Sequence, residues 1–102
     1  MNRYSVYGSL TAVPGKREEL QRYLLEAADG MEHVEGNYCY IVGVADEEPD
    51  NVYVFEVWES KEAHEASLEL DVFRQLINKA RPIIAGMQDY PNLRIVGGKA
   101  AF

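Results

Sequence analysis

Two neighbouring segments, YCYIVGVA at 38–45 and VYVFEVW at 52–58, carry apolar or aromatic side chains on both faces of any strand they form. Alternation sets Tyr38, Tyr40, Val42 and Val44 against Cys39 and Ile41 in the first. In the second it sets Val52, Val54, Glu56 and Trp58 against Tyr53, Phe55 and Val57. A sheet with water on one side alternates apolar with polar residues, so this pair needs cover on both. The acidic DEEPD between them, broken by Pro49, reads as the solvated loop of a hairpin. An EF-hand would need a longer loop of spaced oxygen ligands. Glu56 is the anomaly, a lone carboxylate among valines and a tryptophan.

The rest of the chain supplies the cover for one face. Tyr4, Val6 and Leu10 share a phase over 3–11, with Tyr7 on the other side, which predicts a first strand ended by Val13-Pro14-Gly15. Leu20, Tyr23, Leu24, Ala27, Ala28 and Met31 then recur at helical spacing with charged residues mostly outside the stripe. Ser60 is placed to cap a helix over 61–69. A second start at Asp71, whose carboxylate can accept backbone N–H bonds, leads into Val72, Phe73, Leu76, Ile77 and Ala80. Pro82 has no N–H to donate and stops or kinks that helix, with Ile83, Ile84 and Met87 as an irregular extension. Residues 93–96 form a short last strand before the loose Gly97-Gly98-Lys99.

The order β-α-β-β-α-β, with the second helical segment split, predicts an α+β, ferredoxin-like fold. Right-handed crossovers place both helical segments on one side of an antiparallel sheet. The other side, greasy as it is, predicts a homodimer packed sheet to sheet. Each apolar side chain buried there contributes about 1.5–3 kcal/mol before the costs of association.

Length and charge narrow the function. The 102 residues fit a single domain, 1–102. A net charge of −7 with ten scattered basic residues argues against nucleic acid and against anionic membrane surfaces. No apolar run approaches the ~20 residues of a membrane span, and the start lacks a signal-peptide pattern, so a cytoplasmic location is expected. Cys39, the one cysteine, rules out an intrachain disulfide or a multi-thiolate metal cage; it reads as a small buried apolar residue.

Four stretches, VPGKREEL at 13–20, VEGNYCY at 34–40, FEVWESKEAHEASLELDVF at 55–73 and GGK at 97–99, fall in order along the chain. Together they resemble the antibiotic biosynthesis monooxygenase family, whose quinol-monooxygenase-like members are small dimeric α+β barrels. The resemblance implies a cavity between sheet and helices in each subunit. It also implies oxygenation of a small phenolic or quinol-like aromatic by O2 as co-substrate, with no metal or flavin cofactor. In many such members a Leu-x-x-His follows Trp-x-Ser and another His precedes the phenylalanine; here those positions hold His64, Ser67 and Val72. In the haem-degrading branch an asparagine, a tryptophan and an axial histidine are expected where this chain has Tyr7, Ser67 and Ile77, so haem degradation is disfavoured.

Glu56, His64 and Trp58 are the candidate catalytic residues. A buried Glu56 would have a raised pKa and serve as a base near neutrality; the bland alternative bonds it across the dimer seam to Arg, Tyr or backbone N–H groups. His64 could accept a proton or merely sit half-exposed on its helix. Trp58 either stacks on the substrate or anchors the strand end, its indole N–H on a backbone acceptor. Tyr7, Tyr23, Phe73 and Ile77 are candidate cavity-lining residues, with core and interface packing as the default. Arg81 and Lys99 could attract an anionic substrate, but solvent exposure explains them as well. His33 only complements the end of its helix. A noncatalytic dimeric module that binds an aromatic metabolite is the competing reading, motivated by the missing histidines.

Overall fold

A computed structural model describes residues 3–100. The chain runs β1 (Arg3–Ala12), α1 (Arg17–Gly30), β2 (Asn37–Gly43), β3 (Asn51–Trp58), α2 (Lys61–Ser67), α3 (Asp71–Ala80), a 3₁₀ turn (Arg81–Ile83), β4 (Ile84–Asp89) and β5 (Leu93–Ile95). No helix among the described residues is long and apolar enough to cross a membrane.

Local chemistry accounts for most boundaries. α1 buries Leu20, Leu24 and Ala27, one stripe at spacings of four and three. The Ser60 hydroxyl accepts the backbone N–H of Ala63 at 3.1 Å and starts α2. Gly36, at φ +87°, turns the chain into β2 where an added Cβ would come within 3.0 Å of the Ala63 Cβ, so the turn and α2 need a bare backbone here. At α3 the expectation of a carboxylate cap fails. Leu70 is the cap residue and no side chain bonds the free N–H groups. Asp71 is the first helical residue, where its charge still faces the positive end of the helix dipole.

The sheet is antiparallel in the order β2-β3-β1-β4, with β5 pairing the beginning of β1. This is the ferredoxin-like arrangement, but its fourth strand is not the one expected. Residues 84–89 form that strand, whereas Leu93–Ile95 only extends the same edge. Pro82 does end the helical path, and Ile84 follows at φ −95° and ψ 117°, already extended. What the alternation rule missed is an edge strand whose Ala85 and Met87 are exposed and which therefore carries no apolar phase. Its fit against β1 depends on Gly8, since a Cβ there would lie 2.8 Å from the Gln88 carbonyl oxygen.

One face of the sheet packs on the helices. Leu10, Ala12, Val52 and Val54 meet Leu20, Leu24 and Ala80 in a single cluster flanked by Tyr23, Tyr40, Val42, Ile83 and Ile84. The other face presents Ser5, Tyr7 and Ser9 of β1, Tyr53, Phe55 and Val57 of β3, and Cys39 and Ile41 of β2. A register shift between Asn37 and Cys39 breaks the expected alternation and brings Tyr38 to this second face, its ring 3.9 Å beneath the Arg3 guanidinium. A groove of about 740 Å³ runs there between Phe55, Val57 and Cys39 and the segment 95–100.

Candidate active site

Glu56 and Trp58 are two residues apart on β3 and point to the helix-covered face. Register places Tyr4 opposite Trp58, Val6 opposite Glu56 on β1, and Tyr40 opposite Glu56 on β2. The capped start of α2 fixes His64 as its fourth residue, and the imidazole lies over this corner. The His64 ring stands 5.5 Å from the Trp58 ring, edge to face, and 6.2 Å from that of Tyr4. The indole Nε1–H of Trp58 donates to Glu56 Oε1 at 2.9 Å, and His64 Nε2 lies 3.9 Å from the same oxygen. Tryptophan therefore anchors the strand end as one reading expected, but on a carboxylate rather than a backbone acceptor.

Burial governs the charge state of this cluster. Only 13% of the Glu56 side chain is exposed, and desolvation pushes its pKa up to about 7, against the opposing pull of the Trp58 hydrogen bond. Desolvation also lowers the pKa of His64, while the Glu65 charge works in the other direction. At 3.9 Å the two groups are too far apart for a direct hydrogen bond, and each is shifted toward its neutral form. The contact is thus a neutral imidazole beside a carboxyl that titrates near neutrality, not a fixed ion pair. Burial and the Glu56 charge both raise the pKa of the Tyr40 phenol, which stays protonated and can only donate or accept hydrogen bonds. Burial first, then Glu56, raises that of the Cys39 thiol. Cys39 is buried, as expected, and is no poised thiolate.

Of the predicted residues, Glu56, Trp58 and His64 come together and the proposed cavity wall does not. Tyr7 lies on the opposite sheet face, stacked on Tyr90 at 4.8 Å, because it is out of phase with Tyr4 and Val6. Tyr23 packs against the core cluster from α1. Phe73 lines a shallow depression between α1 and α3 with Met31 and Leu76, and Ile77 is half-buried on α3. The Glu56 carboxylate lies on the helix-covered face near α2, and its hydrogen bond comes from Trp58 of the same chain. Ser67 is buried, its hydroxyl donating to the His64 carbonyl at 2.6 Å, and Val72 is exposed in the first turn of α3. His33 and Arg81 are exposed, and Lys99 borders the groove on the far face. Tyr40, one of several tyrosines whose hydroxyls could have faced a pocket, and Tyr4, which sequence reasoning did not assign to the site, are in phase with Glu56 and Val6; that phase becomes informative only once the strand register is known. Among the described residues no cluster of three or more His, Cys, Asp or Glu side chains is placed to hold a metal.

The family model for antibiotic biosynthesis monooxygenases matches residues 3–79. A solved structure from Chloroflexus aurantiacus J-10-fl, provisionally assigned to the same monooxygenases, is 34% identical, with 96% of this chain and 97% of that one covered at a TM-score of 0.85. A Pseudomonas aeruginosa protein, 18% identical, shares the fold at a TM-score of 0.84 over 95% of this chain and 97% of its own. One from Caulobacter crescentus CB15, 21% identical, does so at 0.83 over 94% and 92%. No curated protein matches the sequence. The matched stretch runs from β1 to the last turn of α3 and takes in Glu56, Trp58 and His64, and on that span the chain belongs to the antibiotic biosynthesis monooxygenase family.

Proposed function

We propose that the protein is a cofactor-independent monooxygenase in which Glu56 is the base, acting on a small phenolic or quinol-like aromatic with O2. The observation that supports this reading most is the buried carboxyl with a pKa of about 7, held by the Trp58 indole and facing His64. Near neutral pH such a group accepts a proton at little cost and can return it. Deprotonation of a hydroquinone gives an electron-rich anion that passes one electron to O2. The resulting radical pair joins through a C–O bond to form a ring-carbon peroxide. Loss of water from that peroxide leaves a hydroxyquinone, so one hydroquinone and one O2 give one hydroxyquinone and one H2O. The substrate is the reductant. The protein has to supply the base, donors that support the anion, and shelter from bulk water.

An oxygen electrode and a panel of hydroquinones and anthrones test this. Wild type should consume O2 with at least one of them, and Glu56→Gln should lose about 10²–10⁴-fold in rate. No uptake with any panel member would sink the proposal. We also propose that a second copy covers the open sheet face, where Tyr7 and Ile41 are 38% and 43% exposed and Tyr53 and Phe55 lie beside them. Sedimentation should then give a dimer at micromolar concentration that Ile41→Lys dissociates; a wild-type monomer would count against it.

Ser67 and Val72, standing where resembling members carry histidines, support a second reading as a noncatalytic aromatic-binding module. Tight binding without turnover, indifferent to His64→Ala, would favour it.

A further inference from the structure

The geometry points to a second ligand site, on the open face of the sheet: the groove beside residues 95–100 takes a small amphipathic carboxylate, with its apolar body against β3 and its charge against Arg3 and Lys99.

The floor of the groove is the open-face phase at the end of β3, where Phe55 and Val57 lie beside Cys39 of β2. Ile95 and Val96 line its other side. Val96 is 70% exposed, so little of its apolar surface is used in the core. The volume of about 740 Å³ falls within the ~300–1,000 Å³ of small-molecule sites. Gly98, at φ +126°, shapes the tail wall. A Cβ there would meet nothing within 4 Å, so glycine stands at this point for its backbone conformation and not for want of room.

Charge selects the ligand. The chain carries 17 acidic residues against ten basic ones, yet among the described residues the groove is lined by two cations and no carboxylate side chain. The ring of Tyr38, 3.9 Å beneath the guanidinium, holds the Arg3 charge at the groove, and Lys99 borders it from the tail. Cys39 adds no negative charge, because burial first and then the Glu56 charge raise the pKa of its thiol. A positive cleft on an acidic surface favours anions. A compact polyanion would leave the apolar floor bare, whereas a monocarboxylate with a hydrocarbon body satisfies the cations and covers the floor. The site is on the sheet face opposite Glu56 and goes beyond the oxygenase reading. It abuts the row of Tyr7, Phe55 and Ile41 assigned to a second copy, which then walls the groove beyond Phe55 rather than filling it.

Calorimetry on the intact protein with sodium octanoate and 1-octanol, which share a chain and differ in charge, tests this. Wild type should bind octanoate about tenfold more tightly than octanol at about 0.05 M ionic strength and lose most of that preference at about 0.5 M. Lys99→Gln should weaken octanoate about three- to tenfold and octanol less than about twofold. Val96→Asp, which sets a carboxylate at the exposed rim with little risk to folding, should abolish the preference. Glu56→Gln should keep it, so failure of the oxygenase reading leaves this site standing. Equal affinities in wild type, a preference that survives Val96→Asp, or octanoate binding confined to Ile41→Lys would each overturn the assignment. The last would mean that the second copy itself fills the groove.

Discussion

Replacing Glu56 by Gln removes a titrating group from the helix-covered face while keeping an oxygen to accept the Trp58 indole N–H. The consequence should be a change in how stability depends on pH. In the folded chain the carboxyl titrates at about 7, against an ordinary value of 4.5, so the folded state holds the proton more tightly than the unfolded state does. Its stabilising contribution is therefore complete below about pH 4.5 and is lost as pH rises through about 7. Going from 4.5 to about 7 corresponds to about 3 kcal/mol, and with only 13% of the side chain exposed, screening by water reduces this little. The facing groups, Tyr40 from β2 and His64 from α2, are present in both proteins, so their own titrations largely cancel in the difference. Urea unfolding followed by circular dichroism from pH 5 to pH 9 gives that difference directly. Glu56→Gln should match wild type near pH 5 and become more stable by about 3 kcal/mol at pH 9. Parallel curves across the range would mean that burial does not perturb this carboxyl, and the case for Glu56 as a base near neutrality would fall with it.

Trp58→Phe removes the one hydrogen bond that holds the Glu56 pKa down, so the limb of the pH–rate profile governed by the base, expected to rise through about pH 7, should move to higher pH by about 1–2 units. Carboxyl carbon NMR of labelled Glu56 reads the same displacement without turnover, and an unmoved titration would refute the coupling. Ser60→Ala should cost about 1 kcal/mol in urea unfolding, because it removes the only side-chain cap on the helix that carries His64. Gly8→Ala should destabilise by about 1–3 kcal/mol, as its Cβ would meet the Gln88 carbonyl at 2.8 Å and push β4 off β1; hydrogen-exchange protection should fall in residues 84–89 more than in β2.

The parts of this fold that were legible in sequence are those where a side chain's role follows from its neighbours along the chain. The α1 stripe repeats every three or four residues because one helix face meets the sheet, and the β2–β3 hairpin reads as doubly apolar because apolar side chains occupy both phases of its strands. Glu56 and Trp58 could be placed on one face by counting in twos, and the Ser60 cap then fixes where His64 falls, so the centre of the candidate site was within reach of local rules. The fourth strand was not. An edge strand pairs on one side only, so residues 84–89 need no apolar phase, and their pairing is dictated by β1, more than seventy residues earlier in sequence. Tyr7 and Tyr4 show the same division more sharply. Three residues apart in one strand, they differ in phase, and phase alone sends Tyr7 to the open face and Tyr4 to the Glu56 corner. Which phase matters depends on a partner three strands' worth of chain away, on the bulge that brings Tyr38 to the open face, and on a turn that delivers Asn92 to a phenol 88 residues distant. Sequence carries the chemistry of such a site in its short-range spacing, while the surroundings of that site are assembled by pairings no window along the chain contains.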